Sequence, residues 1–326
     1  MSDVYGKKIC LTGATGFLGS HLLPFLEQAG AEITCIARKS SNVEHIPHKI
    51  AYADLASGKG LREALKGQDI LIHMAALLFG YGYQDYIAGN ATAARQIGLA
   101  ARDLEKVVHV SSLAAAGPCA TLPGVGETDI PGPVSAYGWS KLMSESILGN
   151  FFGERLVVLR PPIIYGSGDR GLLPVFRGVK RGIAAVPGWS FPVSVIHADD
   201  AARAILCCAD EKARGIYHVS DGAPLEIADF YRAMGKALGR DKLTIVNVPL
   251  PIMGLSAVIS GFAGQIGKFF GSKPPNWNPD KYREARAGGW VANDKKIVKE
   301  IGFKPQISLA DGMEEAVGGY RNQDLL

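Results

Sequence analysis

Short apolar runs alternate with longer helical segments over the first two thirds of the chain. The apolar runs are predicted strands, at 7–13, 31–37, 49–55, 69–75, 106–112, 155–161, 194–200 and 215–221. They are apolar throughout, which is typical of strands that helices cover on both faces. Predicted helices lie between them, at 17–30, 61–67, 87–102, 136–150 and 201–209. This alternation predicts an α/β fold with a doubly wound parallel sheet.

The pattern changes in the last third of the chain. Between Ile227 and Gly289 it is mostly helical, is interrupted by Pro, Gly and Trp, and shows no regular alternation. We therefore expect a smaller, mostly helical C-terminal substrate domain. The predicted boundaries are 1–166 for the sheet domain, which the chain re-enters at about 192–222 and 290–303, and 223–326 plus 167–191 for the substrate domain.

One segment of the second domain is unusually apolar. No charged residue occurs from Leu243 to Gly267, which is long enough for a membrane-spanning helix. Pro249, Pro251 and repeated Gly and Ser argue against a span, so we expect no integral membrane segment. A buried or lid helix is the preferred interpretation, and attachment to a membrane surface is the alternative.

Composition narrows the class of protein. Of the 326 residues, 47% are apolar and 20% are charged, which excludes a disordered chain. The net charge of +4 is small and scattered, so we expect no nucleic-acid partner. The five cysteines form no CxxC pair, which indicates neither a metal site nor a disulfide framework. Reduced thiols, and an N-terminus without an apolar signal core, predict a cytoplasmic protein.

A glycine-rich turn joins the first predicted strand to the first predicted helix. It reads Thr12-Gly13-Ala14-Thr15-Gly16-Phe17-Leu18-Gly19. Gly13 permits a tight turn, Gly16 lets the backbone approach a pyrophosphate, and Gly19 permits close packing of helix on sheet. The helix N-terminus offers N–H donors to phosphate. In this strand–turn–helix context the turn predicts a dinucleotide site of the Rossmann type rather than an ordinary connection.

The residues after the second and third strands bear on which dinucleotide binds. Arg38 and Lys39 stand where an acidic residue would hold the ribose diol of NAD. Basic side chains there suit the 2′-phosphate of NADP, so NADP is predicted and NAD remains possible. The alternative for Arg38 is a solvated loop charge. Asp54 is placed to reach the adenine amino group, or else to cap a helix.

A second cluster of residues predicts proton-transfer chemistry. Tyr137 and Lys141 are four residues apart on a predicted helix and therefore share one face. A phenol has a pKa near ~10, and a neighbouring ammonium group favours the phenolate and makes it a usable acid and base. Ser112, at the end of the fifth strand, can hydrogen-bond the reacting oxygen of a substrate. Asn90, on the preceding helix, could hold a backbone or water link to Lys141.

Several motifs in one order along the chain carry a family resemblance. They are TGATGFLG (12–19), DL (54–55), HMAA (73–76), VSSLAAAG (110–117), YGWSK (137–141), RPPIIYGSGDR (160–170), IHADDAARA (196–204) and GFKPQISLADGM (302–313). The sequence resembles the extended short-chain dehydrogenases/reductases, in the group of NAD(P)-dependent epimerases/dehydratases and 3β-hydroxysteroid dehydrogenase-like enzymes.

The resemblance implies roles for particular residues. It implies that Ser112, Tyr137 and Lys141 form the catalytic set, with Ser112 selected over Ser111 because it lies five residues before the glycine of VSSLAAAG. The cofactor residues that it implies, together with the glycine turn, are Gly13, Thr15, Gly16, Phe17, Leu18, Gly19, Asp54, Leu55, Ala75, Ala76, Tyr137, Lys141, Pro161 and Ile163. Family habit also implies a homodimer.

Two departures from the family pattern bear on the substrate. Nucleotide-sugar epimerases of this family carry an Asn where this chain has Ile163, and an Arg that grips the diphosphate where it has Val193. A diphosphate needs such partners. Lys180 and Arg181 could compensate, although a solvated helix end is the preferred interpretation of both. Aromatic and apolar residues suggest a pocket for an apolar substrate: Phe79, Tyr81, Tyr83, Trp189, Phe191 and the stretch 248–270.

Three functions follow in order of preference. The first is an NAD(P)-dependent oxidoreductase that interconverts a hydroxyl and a carbonyl on a fairly apolar small molecule, similar to hydroxysteroid dehydrogenases or dihydroflavonol reductases. The second is a nucleotide-sugar epimerase or dehydratase. The third is a non-catalytic cofactor-binding regulator, which the presence of both Tyr137 and Lys141 disfavours.

Overall fold

The computed structural model describes residues 4–101 and 103–326. The strands are β1 (Lys8–Thr12), β2 (Glu32–Ala37), β3 (Lys49–Tyr52), β4 (Ile70–His73), β5 (Lys106–Val110), β6 (Leu156–Arg160), β7 (Ile163–Tyr165), β8 (Ile183–Pro187), β9 (Pro192–Val193), β10 (Val195–His197), β11 (Gly215–His218), β12 (Leu225–Glu226) and β13 (Thr244–Val248). The helices are α1 (Phe17–Gln28), α2 (Leu61–Leu65), α3 (Tyr83–Tyr86), α4 (Ala93–Ala100), α5 (Leu113–Ala116), α6 (Ala136–Phe152), α7 (Leu173–Lys180), α8 (Ala198–Cys208), α9 (Ile227–Ala237), α10 (Leu250–Phe269), α11 (Pro279–Ala285), α12 (Lys295–Ile301) and α13 (Leu309–Asn322). A π-helical turn (Ile87–Thr92) joins α3 to α4, and a 3-10 turn (Gly153–Arg155) follows α6.

Seven of these strands form one parallel sheet in the order β3-β2-β1-β4-β5-β6-β11. Helices α1 and α8 pack on one face, and α2, α4 and α6 cover the other. The predicted doubly wound parallel sheet is therefore confirmed. Strand order reverses between β1 and β4, and a crevice opens at the carboxyl ends of strands at such a point.

A second apolar core lies outside the sheet. Helices α7, α9 and α13 bury Phe176, Phe230, Met234 and Tyr320 against strands β8 and β9. Three two-stranded sheets (β7 with β10, β9 with β12, β8 with β13) belong to this half of the molecule or border it. This core packs beside the carboxyl ends of the main sheet through β7 and β10.

Two predicted elements differ from those observed. The strand predicted at 194–200 is shorter, because helix α8 already begins at Ala198. It exists as β10 and pairs with β7 outside the main sheet. The helix predicted at 87–102 begins earlier, at Tyr83, and contains the π-helical turn. It ends at Ala100, and its predicted end, Arg102, lies outside the described residues.

The uncharged segment 243–267 contains strand β13 and most of α10. Of the predicted buried or lid helix, the buried form is wrong, because Ala257 is the one residue of α10 that is fully enclosed, and the lid form stays a prediction. By length and composition this helix could cross a membrane, with a mean hydropathy of 1.4 over an 18-residue window. Only 6% of that window is buried.

Candidate active site

A cavity of about 620 Å³ opens at the carboxyl ends of β1, β4 and β5. The predicted residues that line it are Gly13, Thr15, Gly16, Phe17, Leu18, Gly19, Arg38, Asp54, Leu55, Ala75, Ala76, Ser112, Tyr137, Lys141 and Pro161. Three predicted residues, Lys39, Asn90 and Ile163, are not part of the wall. Met74 and Pro162, which belong to the predicted stretches 73–76 and 161–163, also line it, as do residues not predicted from the sequence, among them Ser41, Leu77, Leu78, Ile164 and Asp169.

The glycine turn forms one end of this cavity. Gly13 has a φ of +83°, a left-handed conformation that favours glycine. A Cβ on Gly13 would also lie 2.8 Å from the backbone nitrogen of Ala75. A Cβ on Gly19 would collide with the carbonyl oxygen of Gly13. The turn therefore packs directly on β4 and brings the N-terminus of α1, at Phe17, to the cavity.

A buried hydrogen-bond chain holds the segment after β4. Thr12 Oγ1 lies 2.8 Å from His73 Nδ1 and accepts the backbone N–H of Ala75 at 3.2 Å. The His73 ring stacks on His109 with 5.1 Å between ring centroids. Burial, helped by the charge of Lys141, lowers the pKa of His73 to about 3, so this histidine is neutral. These contacts hold the backbone of Ala75 in place in the cavity wall.

The far end of the cavity carries the polar residues that follow β2 and β3. Arg38 lines the cavity, whereas Lys39 is exposed outside it. Asp54 accepts the N–H of Ala56 at 2.8 Å and the Ser57 hydroxyl at 3.0 Å. Those hydrogen bonds, and the charge of Arg38, lower the pKa of Asp54. Asp54 therefore caps a turn rather than a helix.

Tyr137 lies at the opposite end, where helix α6 begins. It is 7% exposed, and burial raises the pKa of its phenol to about 12. The nearby Lys281 ammonium group and, to a smaller extent, the Ser112 hydroxyl oppose that rise in pKa. Ser112 also accepts the N–H of Ala114 at 3.1 Å as the N-cap of α5. Its neighbour Ser111 also borders the cavity, but its hydroxyl donates to the Glu145 carboxylate.

Lys141 lies one helical turn after Tyr137 and is 1% exposed. Its ammonium group donates to the carbonyl of Val110 at 2.8 Å, which ties α6 to the end of β5. Burial lowers the pKa of Lys141 to about 8, and the Glu145 carboxylate opposes this shift. Glu145 itself is held by Arg160 through Nε at 3.0 Å and Nη2 at 2.6 Å.

Asn90 has a different set of partners from the one predicted. Its amide accepts the N–H of Leu77 at 2.7 Å and donates to the Leu77 carbonyl at 3.2 Å. It also donates to Ser140 Oγ at 2.8 Å. Asn90 therefore joins the π-helical turn to helix α6 and holds the cavity segment at Leu77. Among the described residues, no hydrogen bond connects it to Lys141.

Helix α11 supplies three site residues that the sequence reasoning missed. The Asp280 carboxylate accepts the N–H of Ala136 at 2.6 Å and that of Tyr137 at 3.2 Å. Two N–H groups of the first turn of α6, which have no partner within the helix, are thereby satisfied. Glu284 accepts the hydroxyl of Ser135 at 2.6 Å and pairs with Lys281 at 2.8 Å.

Lys281 is the cation that faces the Tyr137 phenol. Its ammonium nitrogen lies 4.8 Å from the centre of the Tyr137 ring and 5.6 Å from that of Phe79. Its side chain is 22% exposed, so it lies at the margin of the site. Pairing with Glu284 raises the pKa of Lys281 against the effect of burial, which keeps it charged.

We expect Lys281→Met to shift the pH profile of turnover upwards. Without this cation the phenolate of Tyr137 is less stable and the phenol pKa rises, so oxidation of an alcohol will require a pH higher by about one unit. The initial rate measured against pH tests this. Lys281→Arg should restore the original profile, and Lys299→Met, which removes an exposed lysine of α12, should not shift it. An unshifted profile in Lys281→Met would contradict the role.

The chain matches the NAD dependent epimerase/dehydratase family over residues 9–220, and it belongs to that family. It is therefore an enzyme of the extended short-chain dehydrogenase/reductase type with a nicotinamide cofactor. The resemblance noted in the sequence is confirmed.

Named relatives align along nearly the whole chain. The chain is 26% identical to a ceramide reductase of Caulobacter vibrioides, over 96% of this chain and 94% of the relative. It is 25% identical to a sterol-4-alpha-carboxylate 3-dehydrogenase of Dictyostelium discoideum, over 95% and 99%. A UDP-glucose 4-epimerase of Vibrio cholerae is 26% identical over 96% and 95%. The fold is similar to that of Bordetella bronchiseptica WbmG, solved with NAD and UDP (TM-score 0.76, 16% identity, 98% of this chain and 96% of that one).

The cavity suits the dinucleotide that the family implies. A glycine turn that excludes a Cβ, a helix N-terminus and the Arg38 side chain lie toward one end, as a phosphate-rich ligand requires. Tyr137, Lys141 and Ser112 lie at the other end, next to the apolar wall formed by Pro161, Pro162 and Ile164. The residues present therefore fit a nicotinamide dinucleotide.

Proposed function

We propose that this enzyme is an NADP-dependent oxidoreductase that interconverts a hydroxyl and a carbonyl on a fairly apolar small molecule. The observation that carries the proposal is that the buried Tyr137 phenol, Ser112 and Lys141 line the same end of the cavity, remote from Arg38. The reductase and dehydrogenase relatives support the same reaction class.

The chain's own residues account for the proton chemistry. When bound, the nicotinamide ring supplies or accepts a hydride. Because its pKa is about 12, the Tyr137 phenol is protonated at neutral pH, as a donor to a carbonyl oxygen must be. Ser112 donates a hydrogen bond that positions the same oxygen. Lys141 and Lys281 favour the phenolate that forms when Tyr137 gives up its proton.

The surroundings of Val193, Lys180 and Arg181 disfavour a nucleotide sugar as the substrate. Val193, where epimerases of the family carry the arginine that grips diphosphate, is fully buried in the core of α7, α9 and α13. Lys180 and Arg181, which could replace it, are exposed at the end of α7 and are not part of the cavity wall. Phe191 packs in the same core as Val193, and Trp189 is exposed, so neither supports the predicted apolar pocket.

We expect no measurable binding of UDP-glucose or UDP-galactose to the NADP-loaded enzyme. A diphosphate without partners in a partly buried cleft loses several kcal/mol, on the order of a thousandfold in affinity. Isothermal titration calorimetry measures the affinity for each sugar nucleotide. Uridine alone is the control for binding of the uncharged nucleoside. Micromolar affinity for either sugar nucleotide would favour the epimerase alternative, which the family relationship and the Vibrio cholerae relative support.

The preference for NADP over NAD is expected to depend on Arg38. Arg38→Asp should weaken NADP binding tenfold or more, because the 2′-phosphate then meets a carboxylate. The variant should therefore bind NAD at least as tightly as NADP. Lys39→Asp is the matched control: it makes the same charge change one residue further on, outside the cavity, and should act weakly. Equal affinities of the unsubstituted enzyme for NAD and NADP would contradict the preference.

Two further features of the protein are part of the proposal. They are a homodimer, which is the habit of the family, and a cytoplasmic location. The non-catalytic alternative has no support from the site, since Ser112, Tyr137 and Lys141 all line one cavity.

A panel of long-chain and polycyclic ketones, assayed by loss of NADPH fluorescence, tests the function. Turnover with any such ketone supports the proposal.

A further inference from the structure

Helix α10 has its large apolar side chains on its exposed face, whereas a helix of a soluble protein would normally bury them. Its large apolar side chains, Ile252, Leu255, Val258, Ile259, Phe262, Ile266 and Phe269, are between 48% and 90% exposed. Phe270, directly after the helix, is 82% exposed. Soluble monomers rarely carry so large a continuous apolar surface, and such patches mark interaction sites.

The inner face of the same helix is made of small residues. A Cβ on Gly261 would lie 2.8 Å from Pro279, and one on Gly264 would lie 2.6 Å from Pro275. Ala257 is buried, and Gly254 packs against Tyr282. The large side chains therefore have no room to turn inwards, and the apolar outer face is a fixed feature of the fold.

The charged residues within the segment that contains this helix are all basic, and Asp241 and Asp280 lie directly outside it. From residue 242 to residue 279 the chain has Lys242, Lys268 and Lys273 and no Asp or Glu. Lys268 lies next to the two exposed phenylalanines at the end of the helix. Large apolar side chains beside lysines are typical of helices that lie in the interface of an anionic membrane.

We propose that the outer face of α10 docks the enzyme on an anionic lipid bilayer, with the helix parallel to the membrane plane. A span is excluded by the contacts at both ends, because the Leu250 carbonyl accepts the Tyr282 hydroxyl at 3.0 Å and Gln265 donates to the Tyr81 carbonyl at 2.7 Å. A second copy of the chain fits less well. In a two-fold contact the same lysines would face each other with no carboxylate in the segment to pair them.

The docking face adjoins the loop that leads to the cavity. The Lys268 ammonium group lies 5.0 Å from the centre of the Tyr81 ring, and the Tyr81 hydroxyl donates to the Ser272 carbonyl. Tyr81 belongs to the loop whose earlier residues, Leu77 and Leu78, line the cavity. If the proposed function holds, an apolar substrate would pass from the bilayer to Tyr137 along this loop.

Vesicle co-sedimentation, without substrate or cofactor, tests the docking face. We expect the full chain to bind phosphatidylcholine vesicles containing phosphatidylglycerol at least tenfold more tightly than pure phosphatidylcholine vesicles. The triple variant Leu255→Ser, Phe262→Ser, Phe269→Ser should lose at least tenfold in this binding. Ile130→Ser, a control at an apolar residue that is 94% exposed elsewhere, should bind as the unsubstituted protein does. Thermal melting checks that each variant is folded.

A second measurement needs no substitution. Brominated lipids in anionic vesicles should quench the tryptophan fluorescence of the unsubstituted protein, since Trp277 donates to Ser256 of α10 and therefore lies beside the docking face. Absence of both vesicle binding and quenching would overturn the proposal, as would equal losses in the triple variant and in Ile130→Ser. A dimer that the triple variant dissociates, without vesicle binding, would assign the face to a second copy instead. None of these outcomes alters the oxidoreductase assays, so the two proposals fail separately.

Discussion

Tyr137→Phe is expected to lower kcat by about 10²–10⁴-fold, because the substitution removes the group that transfers the proton. The ring stays in place, so the packing of α6 against Tyr86, at 6.2 Å between ring centroids, should be kept. Cofactor affinity, measured by fluorescence titration, should change by less than about threefold. The substitution can remove at most one hydrogen bond from the Tyr137 hydroxyl to the cofactor, and a single hydrogen bond is worth only ~0.5–1.5 kcal/mol.

Tyr86→Phe is the matched control for this experiment. Tyr86 is as deeply buried as Tyr137 and touches it, but it is not part of the cavity wall. Its substitution should leave kcat within a few-fold of the original value. Near-normal turnover in Tyr137→Phe, or equal losses in the two variants, would contradict the assignment of Tyr137 as the proton-transfer group.

Glu145→Gln is expected to destabilise the protein by about 3–5 kcal/mol, since it leaves the guanidinium group of Arg160 buried without a counter-charge. Arg160 is 1% exposed and Glu145 is 6% exposed, and their two hydrogen bonds join α6 to the end of β6. Glu145 also accepts the Ser111 hydroxyl, next to Ser112. Thermal melting should show a fall in Tm of several degrees or more.

The chain offers a surface pair for comparison. Glu105 pairs with Lys7 at 2.7 Å, and their side chains are 58% and 28% exposed. Glu105→Gln should cost no more than about 1 kcal/mol, because water and salt screen an exposed pair. Equal shifts in Tm for Glu145→Gln and Glu105→Gln would show that the buried pair does not hold the site together.

Local sequence was sufficient for the features that local geometry determines. The positive φ of Gly13 and the tight packing at Gly19 follow from a glycine turn between a strand and a helix. Wholly apolar runs identified the strands of the main sheet, because a strand covered on both faces leaves a continuous apolar pattern. The same pattern could not separate β10 from that sheet, since β10 is equally buried while pairing only with β7.

Contacts between distant segments account for what the sequence did not reveal. Lys281 reaches Tyr137 from 144 positions further along the chain. The sequence marks a helix start there, with Asn278 as the N-cap and Pro279 in the first turn, but not the helix against which it docks. The expectation that α10 is buried failed for a related reason. An apolar composition normally indicates burial, but here small residues occupy the inner face and the large apolar residues lie on the outer face.

Transfer of deuterium from labelled NADPH tests the central claim most directly. The enzyme is incubated with 4-deuterated NADPH of each stereochemistry and the ketone with the highest turnover. We predict that one of the two cofactors delivers deuterium to the carbinol carbon of the alcohol, with one NADP⁺ formed per alcohol, and that Tyr137→Phe suppresses both. Failure of every ketone to accept the label, together with interconversion of UDP-sugars without net NADP⁺ formation, would contradict the account.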